Sequence, residues 1–126
     1  MRLNVPLLDE AELHAVGEVL ASGFLTQGPR TAQFEQEISA VAGTQHAYGV
    51  SSATTGLHLA LVGLGVKPGD EVIIPGFSFP ATANAVIQQG AIPVFVDIQQ
   101  DTFNLDPTLL EAALTERTRA IMPVHA

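Results

Sequence analysis

The chain has 126 residues, and its 13 acidic side chains against five basic ones give a formal net charge of −8. Its cations, Arg2, Arg30, Lys67, Arg117 and Arg119, are scattered, so no nucleic-acid partner is expected, because phosphate backbones are bound by clustered Lys and Arg. There is no cysteine, hence no disulfide and no thiolate chemistry, and no uninterrupted apolar run is long enough to cross a bilayer, so no membrane partner is expected either.

The length suits about one domain. At 47% hydrophobic and 14% charged, against a typical ~25% charged, such a chain forms a core and is also expected to bury surface in a larger body. The start, Met1-Arg2-Leu3-Asn4-Val5-Pro6, has no signal-peptide pattern. The cytoplasm is the expected location.

Residues 9–22 read as a helix. Asp9 is a capping residue, Glu10 and Glu12 suit the first turn, and Leu13, Val16, Val19 and Leu20 make one apolar face. Gly23 ends it, and His14 belongs on its solvated side. Phe24-Leu25-Thr26-Gln27-Gly28-Pro29 is a loop with two readings. It is a plain C-capping turn that tucks Phe24 and Leu25 into the core, or a loop with a binding role. A second helix is predicted over 30–42, with Phe34, Ile38, Val41 and Ala42 as its face and Gly43 as its end. His46 reads as a surface residue.

Ala47-Tyr48-Gly49-Val50 reads as a short strand that Ser51 and Ser52 break. A helix then carries Leu57, Leu61 and Leu64 on one face. This junction favours an anion. The first turn of a helix leaves backbone N–H groups without partners, and the macrodipole adds partial positive charge. Small residues admit a phosphate, and the hydroxyls of Thr54 and Thr55 add donors. The plainer reading is ordinary N-capping.

Gly63, Gly65, Pro68 and Gly69 mark a turn that contains Lys67. Glu71-Val72-Ile73-Ile74-Pro75 is a strand buried on both faces, as in a parallel sheet. Gly76-Phe77-Ser78-Phe79 is the loop at its carboxyl end, and Pro80 opens a helix with Ala83, Val86, Ile87 and Ala91 toward the core. Ile92–Val96 is a further strand, closed by Asp97 and followed by a polar turn at 99–102. Asp106-Pro107 caps and opens a helix bearing Leu109, Leu110, Ala113 and Leu114, and Arg119–Val124 is a last strand. There are no repeats, no low-complexity tract and no linker. The expected order is α-α-β-α-β-α-β-α-β, an α/β fold with a largely parallel sheet. A turn and covering helix normally follow such an edge strand, so the domain is expected to be truncated at Ala126.

Ligands of such sheets bind at the carboxyl ends of the strands. The turns at 51–55 and 76–79 both follow strand ends, so one site is expected to use both. An anion turn beside an aromatic loop suits a planar, phosphorylated cofactor, with phosphate at Thr54 and Thr55 and Phe79 (or Phe77) on the ring. The alternative for both phenylalanines is core packing.

The chain resembles the DegT/DnrJ/EryC1/StrS family of sugar aminotransferases dependent on pyridoxal 5'-phosphate. The matching pieces are Gly23–Pro29, Phe34-Glu35, Val50–Leu61, Gly69–Pro75, Phe77–Ala85 and Pro93–Asp97, in order along the whole chain. The resemblance implies the aspartate-aminotransferase-like fold (type I), with this chain forming part of the large cofactor-binding domain. The sheet would be mainly parallel, with helices on both faces. N-terminal helices would fill 1–45, and the start of the α/β domain 46–126. It implies cofactor contacts from Ala53, Thr54, Thr55 and Phe79, and a loop at Thr26 and Gln27 near the substrate and the subunit contact.

Two departures qualify the resemblance. The family usually shows Ser-Gly-Thr-Ala-Ala where this chain has Ser52-Ala53-Thr54-Thr55-Gly56. The Ala53 methyl would weaken cofactor binding if φ is positive there, and the Thr55 hydroxyl would compensate. The family's Schiff-base lysine and the Asp that pairs with the pyridine nitrogen lie beyond the matching pieces. Lys67 is the one lysine of this chain and falls where the family pattern has no catalytic role.

The resemblance thus implies the N-terminal part of an enzyme that moves an amino group, with glutamate as donor, onto a nucleotide-linked keto sugar in polysaccharide or secondary-metabolite synthesis. It implies a homodimer at full length and no transaminase activity in these 126 residues alone. Three other readings stay open: a sugar dehydratase of the same family, with His in place of the lysine; a non-catalytic α/β module that binds a phosphorylated small molecule; and an inactive truncated product. No G-x-G-x-x-G follows any strand, against a dinucleotide.

Overall fold

A computed structural model describes residues 5–126. Arg2 and the first four residues of the N-terminal segment lie outside the described part. The chain forms two compact units, Met1–Gly49 and Val50–Ala126.

The first unit is helical. Helix α1 runs Glu10–Ser22 behind a full capping box, in which Asp9 accepts the N–H of Ala11 and the Glu12 side chain accepts that of Asp9. Gly23 closes it at φ 74°, where an L side chain would be strained. Helix α2 runs Pro29–Ala42, with Pro29 at its first position. His14 is exposed, four residues from Glu18, as its helical position requires. Glu18 also pairs with Arg30, which ties α1 to the start of α2.

The apolar stripes of both helices are present but uncovered: Leu13, Val16 and Leu20 on α1, and Phe34, Ile38 and Val41 on α2, are exposed. Phe24 and Leu25 are exposed as well, against the expectation that a capping turn would tuck them into a core. The Leu25 N–H bonds back to Gly23 O, and the tight turn holds both side chains outward.

The expected strand at Ala47–Val50 does not form. Its Gly49 N–H donates to the Glu35 carboxylate at 2.7 Å and not to a neighbouring strand. A strand exists through its ladder, and no described segment pairs with this one.

The second unit is the α/β layer. Helix α3 spans Ala53–Gly63, β1 Glu71–Pro75, α4 Ala81–Gln88, β2 Ile92–Val96 and β3 Thr118–Ile121. A 3₁₀ turn at Pro107–Leu109 leads into the short α5, Leu110–Ala113. The sheet has the order β2-β1-β3 and is parallel throughout. All five residues of β1 are buried, as the β-branched run predicts for a central strand. Pro93 is tolerated because β2 is an edge of the described sheet.

Alternation along β1 divides the core. Val72 and Ile74 pack with Leu61, Val66, Ala85, Val86 and Ala91 from the α3–α4 side. Ile73 faces the other way, onto Val96, Leu105, Leu110 and Ala113. Helices therefore cover both faces, as the expected fold class requires.

Three details differ from the sequence reading. Ile87 and Leu64 are exposed, while Thr82, to which no core role was assigned, is buried. The Thr82 hydroxyl lies 2.7 Å from that of Ser78, so burial leaves it satisfied. The last strand runs Thr118–Ile121 and not Arg119–Val124, with Met122 N–H making the last bond to β1, at Ile73 O.

Candidate functional site

The carboxyl edge of the sheet collects two loops of the second unit. Residues 76–79 follow β1 directly, and Gly76 N–H still bonds Val96 O at 2.8 Å. Helix α3 precedes β1 and ends at its amino edge, so its own N-terminus points back to the carboxyl edge. The His58 and Gln89 side chains fix α3 against α4. Gln89 donates its amide to Val66 O at 2.7 Å, which leaves its oxygen to accept from His58 Nε2 at 2.9 Å. Neither residue had a role in the sequence reading. A His at helix spacing from Leu61 gave no sign of a partner 31 residues away.

At the start of α3 the N-cap is Ser52, whose Oγ accepts the Thr55 N–H at 3.2 Å. The Thr55 hydroxyl lies 3.0 Å from Ser52 Oγ and 3.4 Å from Ser51 Oγ. The N–H groups of Ala53 and Thr54 have no partner among the described residues. Ala53 is the first helical residue, and no positive φ occurs there. Its methyl therefore carries no left-handed strain, and the feared conflict with the family's glycine is absent.

The two phenylalanines of the following loop divide their tasks. Phe77 packs on Phe103, with ring centroids 5.5 Å apart and planes at 42°. Phe79 is 78% exposed. It borders a small cleft of about 60 Å³ with Ser78, Pro80, Ala83 and Phe95. Phe103 was missed in the sequence, where the turn was read as ending at Thr102.

Thr26 and Gln27 belong to the first unit, and both are exposed. Thr26 lines a groove of about 620 Å³ with Val19, Phe24, Pro29 and Arg30. Lys67 is exposed in the turn before β1, where its N–H donates to Asp70 Oδ2 at 2.8 Å. That turn sits at the amino edge. Five strand residues rise roughly 16 Å, more than a lysine side chain spans, so Lys67 does not reach the loops at 51–55 and 76–79. Among the described residues no group of three metal-ligating side chains exists.

An open helix N-terminus and an exposed aromatic ring thus lie toward the carboxyl edge of a parallel α/β sheet, the edge at which such sheets bind their ligands. The chain belongs to the DegT/DnrJ/EryC1/StrS aminotransferase family, whose model matches residues 6–126. It is 49% identical over 122 residues to the spore coat polysaccharide biosynthesis protein SpsC of Bacillus subtilis (strain 168), covering 97% of this chain and 31% of that protein. It is 48% identical over 120 residues to the UDP-4-amino-4-deoxy-L-arabinose–oxoglutarate aminotransferase of Shewanella sediminis (strain HAW-EB3), covering 95% of this chain and 31% of that one. Among solved structures, the PMP form of the sugar aminotransferase Spr1654 from Streptococcus pneumoniae superposes with a TM-score of 0.92 at 42% identity, over 98% of this chain and 31% of that one. The chain thus spans about a third of the length of the relatives it matches.

Proposed function

We propose that these residues form part of a pyridoxal 5'-phosphate-dependent aminotransferase that converts a nucleotide-linked keto sugar to an amino sugar, with glutamate as amino donor. The observation that carries the reading is the pair of N–H groups at Ala53 and Thr54 that have no partner among the described residues, on the same sheet edge as the exposed ring of Phe79. Family membership, and the names of relatives that act on sugars, support the substrate class.

The donor set fits the phosphate and ring of the cofactor. Ala53 and Thr54 would donate from the backbone, and the Thr54 hydroxyl would add a third bond. The Thr55 hydroxyl is already within bonding distance of Ser52 and contributes less. Phe79 would cover one face of the ring and exclude water from it. When bound, the cofactor supplies the electron sink for moving the amino group. By the family resemblance, the covalent lysine and the acidic partner of the ring nitrogen would come from outside these residues; Lys67, in the turn before β1, lies on the opposite edge. Thr26 and Gln27 would approach the sugar, and the intact enzyme would be a homodimer.

Two measurements test this. Hydrogen bonds to a charged group are worth about 1.5–3 kcal/mol each, so the protein is expected to bind pyridoxal 5'-phosphate at least about tenfold more tightly than pyridoxal. The intact enzyme, given glutamate and a nucleotide-linked keto sugar, is expected to form 2-oxoglutarate and amino sugar in equal amounts. The 126 residues by themselves are expected to form neither. Equal affinity for the two pyridoxal forms, or amino transfer by this chain alone, would sink the assignment.

A further inference from the structure

We propose that Phe103 is a positioning residue for the loop that carries Phe79. Phe103 is the one non-glycine residue with positive φ among the described residues, at 58°. That region is costly for a bulky side chain and is ordinarily filled by Gly or Asn. Phe103 belongs to neither buried core cluster. The side chain is half exposed, and its ring packs on that of Phe77. Glycine would relieve the backbone and lose that packing, so the packing on Phe77 is a gain that offsets the strained conformation.

The turn that holds Phe103 is built to keep it there. Gln99 N–H bonds Asn104 O, and Phe103 N–H bonds Gln99 O, both at 2.9 Å. Thr102 Oγ1 donates to Gln99 Oε1 at 3.1 Å and accepts from Asn104 N–H at 3.3 Å. Below the turn, Ile98 and Leu105 form an antiparallel bridge, and Leu105 is anchored in the core beside Ile73 and Val96. Across it, Asn104 Oδ1 accepts the Ala126 N–H at 3.0 Å. The segment after β2 thus contacts the segments after β1 and after β3, along the carboxyl edge. Phe77 takes the contact with Phe103, and Phe79, two residues on, is left facing solvent.

The link to a cofactor rests on the stacking role assigned to Phe79 above; the link to the loop does not. The test compares the intact protein with Phe103→Gly and Phe103→Tyr, reading backbone order parameters at Phe77, Ser78 and Phe79, the melting temperature, and affinity for pyridoxal 5'-phosphate. In Phe103→Gly the melting temperature is expected to hold or rise, while the order parameters fall from the rigid value of about 0.85 to below about 0.6. Cofactor affinity is expected to fall threefold or more, and Phe103→Tyr to keep both the order parameters and the affinity at their wild-type values. Unchanged order parameters in a folded Phe103→Gly protein overturn the proposal. Should that variant fail to fold, Phe77→Ala removes the contact from the other side. It must then loosen Ser78 and Phe79, and a rigid loop there overturns the proposal equally. A loosened loop in a protein that binds no pyridoxal 5'-phosphate keeps Phe103 as the anchor and refutes the cofactor reading instead.

Discussion

Ser52 Oγ accepts the backbone N–H of Thr55 at 3.2 Å, closing one of the donors that a helix N-terminus leaves open. The same contact leaves Ala53 and Thr54 as the open pair. Removing the cap in Ser52→Ala is expected to cost about 1 kcal/mol of stability, read as a lower denaturant midpoint. Because the change frees a further N–H, affinity for the phosphorylated cofactor should fall less than twofold. A tenfold loss would mean that Ser52 itself touches the phosphate.

Ala53 stands where relatives are expected to have glycine, yet its backbone is helical. Ala53→Gly is therefore expected to leave the affinity for pyridoxal 5'-phosphate unchanged, while lowering stability by up to about 1 kcal/mol through helix propensity. Isothermal titration of the two proteins decides it. A clear gain in affinity would show that the methyl obstructs the ligand.

Phe79 is too exposed to support the fold, so Phe79→Ala should change stability by less than about 0.5 kcal/mol. Aromatic stacking is worth roughly 0.5–1.5 kcal/mol. Cofactor affinity should then fall about two- to tenfold, measured by titration against the wild type. If affinity holds while Phe77→Ala weakens it directly in a rigid loop, the stacking ring has been misassigned.

Glu71 is 5% exposed at the amino end of β1, where it accepts from the Thr115 hydroxyl and from Arg117. The Thr115 bond is the largest influence and lowers its pKa, burial opposes it, and the Arg117 guanidinium lowers it further. A carboxyl held below its ordinary value of about 4.3 adds stability that is full above that pH. The contribution is lost as pH falls through the lowered folded value. Acid unfolding monitored by circular dichroism should therefore begin at higher pH in Thr115→Val, where the bond is gone. Identical acid midpoints would deny the carboxylate this role.

Much of the second unit is written in local pattern. Glu71–Pro75 is a β-branched run between turn residues, and it folds as the fully buried centre of the sheet. The capping residues Asp9 and Asp106 and the terminator Gly23 act where they stand in the sequence. Ala47–Val50 shows the limit, because an apolar run becomes a strand only when a neighbour supplies its ladder. Ile87 was misjudged because helical spacing fixes a stripe but not how wide a face the packing covers. In the candidate site, Thr54 and Phe79 stand out in the sequence as a hydroxyl in a small-residue turn and an aromatic after a strand end, although the strand expected before Thr54 does not form. Phe103 was not, since a left-handed phenylalanine has no composition signal and its partner Phe77 lies 26 positions away. His58 and Gln89 were hidden for the same reason.

The uncovered stripes on α1 and α2 bear on how this chain behaves at a bench. Leu13, Val16, Leu20, Phe34, Ile38 and Val41 give molecules greasy ground on which to meet. A net charge of −8 opposes such meetings through mutual repulsion. That repulsion reaches about 10 Å at 0.1 M salt and about 3 Å at 1 M. Brine, which often keeps proteins dispersed, should here bring them together as a cloudy suspension, and dilution into low salt should clear it.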